Sequence, residues 1–215
     1  MSLVDTAGPR ETAVEAGGYA KGVAYGIVRD NQDPNGMGRV RVSYPWHTQS
    51  DQSYWARIAV PMAGPSRGFY CLPEVGDEVA LVFERGDMRF PCVIGAVWNG
   101  KDTPPADNSD GKNNVRVFKS RSGHVLEFND SDDSPSVTVE FSDQKKKLLI
   151  DNDSISLDDG SGNSLTISTQ DGSVTIVASG TLSLKGDSIS IVSQGTLSLS
   201  ANATLTVTGT TVNIN

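Results

Sequence analysis

The run SISLDDGSGNSLTISTQDGSVTIVASGTLSLKGDSISIVSQGTLSLSANATLTVTGTTVNIN, residues 154–215, decides how this chain folds. It breaks into short units, each holding two apolar residues two positions apart with Ser, Thr or Asn between or beside them. The pairs are Ile155/Leu157, Leu165/Ile167, Val174/Ile176, Leu182/Leu184, Ile189/Ile191, Leu197/Leu199, Leu205/Val207 and Val212/Ile214. A spacing of two places both side chains on one face of a strand. Successive pairs start 10, 9, 8, 7, 8, 8 and 7 residues apart, so the period settles near eight. A steady step is the signature of a repeat architecture. Gly172, Gly180, Gly186, Asp187, Gly195, Asn202 and Gly209 sit at the joints, where a corner favours residues that tolerate a left-handed backbone. The run reads as a β-solenoid.

Two inward side chains per strand make a thin core, and no aromatic residue lies beyond Phe141. Wound on itself, one chain would use about 24 residues per coil and stop short of three coils, leaving open edges. Three identical chains around one axis remove that difficulty, since closed threefold symmetry brings the aliphatic pairs together. The expected fold class is therefore all-β, ending in an intertwined trimeric β-helix, or β-prism. The sixteen paired aliphatics would form the trimer core.

Composition divides the chain. All ten prolines fall at or before Pro135, whereas 23 of the 65 residues from Asp151 onward are Ser or Thr. Residues 1–18 are small and polar and read as a flexible arm. Residues 19–100 carry longer strands, including YAKGVAYGIVRD, RVRVSYPWH, SYWARIAVPMA and EVALVFERGDMRFPCVIGAVWNG, punctuated by Gly/Pro turns. Five or six antiparallel strands in about 80 residues fit a small Greek-key barrel of OB type. Residues 101–119 read as a polar linker and 120–215 as the spike.

The formal charge of −8 and the pI near 4.7 oppose a nucleic-acid or anionic-membrane partner. No apolar run is long enough for a membrane helix, and the N-terminus lacks a signal-peptide pattern. Cys71 and Cys92 lie in strand-like contexts and read as buried free thiols. With His47 and His124 far apart, no zinc ligand set exists. Carboxylates cluster at Asp130–Asp133, Asp151–Asp153 and Asp158–Asp159, between short strands, where Asp forms Asx turns. His124 reads as structural, and Lys145–Lys147 as a solvated turn. Trp46, Tyr54 and Trp55 read as core or contact residues, and not as a base-stacking platform. No catalytic constellation is present.

Between residues 26 and 98 several spaced motifs stand out, beginning with the DP-x-x-x-GRV hairpin (Asp33, Pro34, Gly38, Arg39, Val40) and the strand WARIAVP. The run GFYCLPEVGDEV, with Pro73, Gly76 and Asp77, and the ending Gly86, Asp87, Pro91 and Gly95 complete them. On these residues the chain resembles the OB domain of contractile-tail central spikes, the phage baseplate assembly protein V type and, in type VI secretion, the VgrG proteins. SRSGHVLEFND, from Ser120 to Asp130, looks like the entry to the family's β-helix. The resemblance implies a non-enzymatic, homotrimeric, membrane-piercing spike of a virion tail baseplate, assembled in the bacterial host cytoplasm. It implies a separate tail hub protein at the OB end and a PAAR-like tip protein seated on Thr211, Val212, Asn213, Ile214 and Asn215. The bacterial outer membrane or envelope would be a transient partner, and no nucleic acid is expected. No cofactor is expected; an ion trapped on the trimer axis stays open. Alternatives are the spike of a tailocin or type VI-like device, or a trimeric fibre or adhesin.

Overall fold

A computed structural model describes residues 22–46 and 52–214. The N-terminal arm, His47 and Asn215 lie outside the described residues. Among those described, all regular structure is β apart from one 3₁₀ turn, Glu84–Gly86. The chain divides into two units, residues 1–107 and 108–215.

The first unit is built on a five-stranded sheet of β1 (Ala24–Asp30), β2 (Arg41–Ser43), β3 (Arg57–Ile58), β6 (Glu78–Phe83) and β7 (Pro91–Ala96), in the order β2-β1-β6-β7-β3. A small hairpin of β4 (Ala63–Gly64) and β5 (Arg67–Gly68) stands beside it. The five strands close into a barrel. β3 pairs in parallel with β7 at one edge, while the preceding residue, Ala56, exchanges backbone hydrogen bonds with Val40 beside β2 at the other. Every other pairing in the barrel sheet is antiparallel. Closure of this kind leaves few backbone groups without partners.

Alternation in EVALVF puts Val79, Leu81 and Phe83 inside, where they meet Val28, Val40, Val42, Ala56 and Val93. Tyr44, Trp46, Ile58 and Met88 pack around this core. Tyr44 lies edge-on to Phe83 and donates its hydroxyl to the Met88 carbonyl at 2.8 Å. Burial pushes its phenol up to about 12. Gly26 permits the tight approach of three strands: a Cβ there would lie 2.8 Å from Leu81 Cδ1 and 3.1 Å from the Ser43 carbonyl.

The second unit is a single seven-stranded antiparallel meander. It comprises β8 (Val115–Lys119), β9 (Val125–Asn129), β10 (Ser136–Glu140), β11 (Lys147–Asp151), β12 (Ser154–Asp158), β13 (Ser164–Ser168) and β14 (Val174–Val177). β8 lies inside the stretch expected to be linker, and its partner is β9. The meander also departs from the winding expected of a solenoid. Every turn from β8 to β14 reverses the chain, so each strand bonds its own sequence neighbours. Residues 178–214 form no assigned strand.

Candidate functional site

The meander is one layer thick and sharply two-faced. Cross-strand partners share a face, and following them across the sheet gives two apolar rows. One runs Phe118, Leu126, Val139, Leu148, Leu157, Leu165, Ile176. The other runs Arg116, Phe128, Val137, Ile150, Ile155, Ile167, Val174. Arg116 alone breaks the apolar character, and its guanidinium pairs with Asp130 at 2.7 Å. The opposite face centres on Val117, Glu127, Thr138, Leu149, Ser156, Thr166 and Thr175.

The apolar face is uncovered. Leu157 is 49% exposed, Phe118 50% and Ile176 56%, while Thr138 is the one buried residue of this unit among those described. The first row, joined by Leu182, lines a groove of about 890 Å³.

Of the expected trimer core, Ile155, Leu157, Leu165, Ile167, Val174 and Ile176 come together on this face. The other ten residues belong to no strand, and of these Leu182 alone lines the groove. Leu182 and Leu184, Ile189 and Ile191, Leu197 and Leu199, Leu205 and Val207, and Val212 and Ile214 all lie exposed in the segment without strands. The expected eight-strand repeat therefore stops at its third unit within one chain. No backbone ladder within one chain holds these pairs, so their side chains have no sheet face to share. Within the expected tip seat, Thr211 to Ile214 are exposed and Ile214 is 90% accessible. The expected core began at Ile155 and left out Phe118, in the expected linker, and Leu126, Phe128, Val137, Val139, Leu148 and Ile150, within the expected spike. Alternation in VLEFN and SVTVE carries the signal for the four residues of β9 and β10.

The turns are held by carboxylates acting on their own backbone. Asp151 Oδ1 accepts the Asp153 and Ser154 amides at 3.0 and 2.7 Å. Asp158 accepts Gly160 N at 2.6 Å, and Asp159 accepts Ser161 N and Asn163 N at 2.7 and 3.0 Å. Asp143 and Asp171 do the same for Lys145 and Ser173. Such donors stabilise the charged form. The Lys146 ammonium first, then backbone amides, lower Asp143 to about 2; Ser168 and Ser173 lower Asp171 to about 2. Each of these aspartates is thus occupied with its own turn. The Lys145–Lys147 run includes Lys146, bound to Asp143 and 5.0 Å from the Phe141 ring centroid. His124 packs 4.4 Å from the same ring, and its Nδ1 accepts the Ser142 amide.

In the barrel, the DP-x-x-x-GRV motif is a self-contained turn. Asp33 Oδ2 and Oδ1 accept Arg39 Nε and Nη2, both at 2.8 Å. The same carboxylate accepts the amides of Asn35, Met37 and Arg39. The Arg39 guanidinium, then, holds Asp33 well below the usual carboxylate range. Gly38 takes φ +67°, which a side chain would resist. Val40 then enters the core. Pro73, Gly76 and Asp77 form the turn into β6, where Gly76 N reaches the Val28 carbonyl and Val28 N reaches that of Asp77. Gly86 and Asp87 turn the chain after β6, Asp87 gripping Arg89, and Pro91 and Gly95 lie in β7.

Trp46 donates to the Tyr25 carbonyl, Trp55 lies under Arg41, and Tyr54 stacks on Phe90. Cys92 is half-buried but Cys71 is exposed, contrary to expectation, because it follows the β4–β5 hairpin outside any strand. No helix among the described residues is long and apolar enough to cross a membrane.

Residues 24–98, the whole barrel sheet, match the type VI secretion system/phage-baseplate injector OB domain family. Among similar proteins is the type VI secretion system spike protein VgrG1a of Pseudomonas aeruginosa. It is 31% identical over 99 residues, covering 43% of this chain and 15% of that protein. The type VI secretion system spike protein VgrG3 of Vibrio cholerae is 35% identical over 80 residues, covering 35% of this chain and 8% of that protein. The actin cross-linking toxin VgrG1 of Vibrio cholerae is 35% identical over 72 residues, covering 32% of this chain and 7% of that protein. The chain thus spans only a small part of the length of these relatives. Residues 24–98 therefore resemble an injector OB domain of type VI secretion systems and phage baseplates, and the chain is similar in part to type VI secretion spike proteins.

Proposed function

We propose that this chain is a structural, non-enzymatic spike whose working form is a homotrimer. The observation that carries the reading is the uncovered apolar face of the meander in a chain that bears an injector OB domain. Burial contributes about 25 cal/mol per Å² of apolar surface, so two continuous aliphatic rows have a strong drive to be covered. Three copies turned inward around an axis cover them symmetrically. The paired aliphatics from Leu182 to Ile214 extend that interior as an intertwined β-helical needle.

In this reading the barrel forms the collar, in contact with a hub protein, and the Thr211–Asn215 end seats a PAAR-like tip. Thrust along the rod carries it through a bacterial envelope, and backbone hydrogen bonds between chains spread the load. The setting is the baseplate of a phage tail or tailocin. The type VI spike proteins among the similar sequences favour, as a second reading, a type VI device. Both readings ask the same mechanical work of the rod.

Size exclusion coupled to light scattering tests the proposal. A mass of three times 22.8 kDa is expected. A monomer at micromolar concentration would sink it.

A further inference from the structure

A second apolar surface lies on the barrel, beside the β4–β5 hairpin. Met37, Ile58, Met62, Phe69 and Tyr70 line a groove there of about 610 Å³. Met37, Met62, Phe69 and Tyr70 are each more than half exposed. Thioethers and rings grouped in this way adapt readily to a bound chain, and an open patch of them marks a contact surface.

The groove carries charge of one sign. Arg67 is the only charged residue along it, and no carboxylate pairs with Arg67 among the described residues. Its side chain folds back over Gly64, where a Cβ would stand 2.9 Å from Nε. Such a site fits an apolar segment that brings carboxylates and no cation. The chain holds one just ahead of the barrel: residues 11–16 read ETAVEA, followed by Gly17 and Gly18. Extended, this segment sets Thr12, Val14 and Ala16 on one face and Glu11 and Glu15 on the other. The reach suffices, since residues 11–21 extend to about 36 Å, whereas β1, the longest barrel strand, covers about 23 Å.

We infer that residues 11–16 seat in this groove of their own barrel. Val14 and Ala16 turn toward the methionines and rings, and Glu11 or Glu15 meets Arg67. Charge complementarity and reach select this occupant. A short tether also favours the chain's own segment over that of a second copy, because it holds the segment at an effective concentration in the millimolar range. The seat is the same whether the chain stands alone or in three copies, so it does not rest on the trimeric reading.

Cys71 lines the same groove, which makes its thiol a native reporter of the seat. In the full-length chain carrying C92A, the rate at which Cys71 reacts with an aromatic disulfide reagent reads how far the groove is covered. That rate should lie several-fold below the rate in urea and should rise several-fold in V14D. R67E should raise it as well, and E11R/E15R added to R67E should bring it back down. V4D, outside the segment, should leave it unchanged. No rise in V14D overturns the seat and leaves the groove open for another protein. No recovery on charge reversal overturns the pairing with Arg67, and a rise in V4D equal to that in V14D overturns the choice of segment. With V14C in the same background, a short bis-maleimide should join residues 14 and 71 within one chain. A two-chain product in its place assigns the groove to a second copy and overturns the inference.

Discussion

The barrel and the meander are made of the same alternating strands, and they finish their cores in opposite ways. The barrel curls its sheet until Ala56 ties to Val40, and eight apolar side chains vanish inside one chain. The meander never curls back. It lines up two aliphatic rows as regular as any core and leaves them open. The difference lies in side-chain supply. The barrel has Tyr44, Trp46 and Phe83 to thicken its interior, whereas the strands from Ser154 onward have only Leu, Ile and Val. The strands from Ser154 onward lack bulky residues to fill an interior of their own, and in the proposed trimer the sheet opposite them belongs to another chain.

The strongest way to break this contrast is to charge each region in turn. Leu157→Asp puts a carboxylate into the proposed trimer interior, where it has no partner. The mass by light scattering should fall from three chains to one, while near-ultraviolet circular dichroism from the barrel aromatics persists. A trimer that survives removes Leu157 from the interior. Leu81→Ala, fully buried in the barrel, should cost about 2–5 kcal/mol in urea unfolding and at any protein concentration. A concentration-dependent loss would mean that the barrel too is finished by assembly.

Gly26→Ala sharpens the description of the barrel. A Cβ pressed between Leu81 and the Ser43 carbonyl should cost about 1–3 kcal/mol on the same urea scale. An unchanged midpoint would show that β1 has room to move.

Acid should touch both regions by one rule. Asp33, Asp143, Asp151, Asp159 and Asp171 all have their acidity strengthened on folding. Their stabilising contribution is complete above the unfolded value near 3.8. It fades as pH falls toward the folded values, which are about 2 for Asp143 and Asp171. Urea midpoints should therefore decline between about pH 4 and pH 2. Asp33→Asn should start lower at neutral pH and lose less across that window, because the pair with Arg39 is already gone. A midpoint that is flat in wild type would contradict these turn contacts.

How much of this could be read beforehand follows from what a period of two encodes. It says which residues share a face, so Ile155, Leu157, Leu165, Ile167, Val174 and Ile176 were legible as one surface. It does not say which strand lies beside which, so a reversing meander and a winding coil look alike. Nor does it say whether a strand finds its partner at home, and so Ile191, Leu199 and Val207 read like Leu157 although one chain leaves them bare. The joints held a partial clue. The first steps, 10 and 9 residues, are longer than those after Leu182; they span the reversals at Asp158–Asn163 and Thr169–Ser173. β8 escaped notice because VRVFK mixes Val115 and Val117 on one face with Phe118 on the other, erasing the alternation. The barrel was more legible, since DP-x-x-x-GRV fixes its turn through one local ion pair. Its closure by the Ala56 bridge is a long-range event with no local signature.

The open face also sets a clock. In the proposed trimer, a chain leaving the ribosome must meet two others before its aliphatic rows meet anything else, so correct assembly depends steeply on local concentration. Synthesis from clustered ribosomes on one message would shorten that search. Slow, dispersed synthesis would lengthen the time each chain spends with a face that any passing apolar surface can occupy.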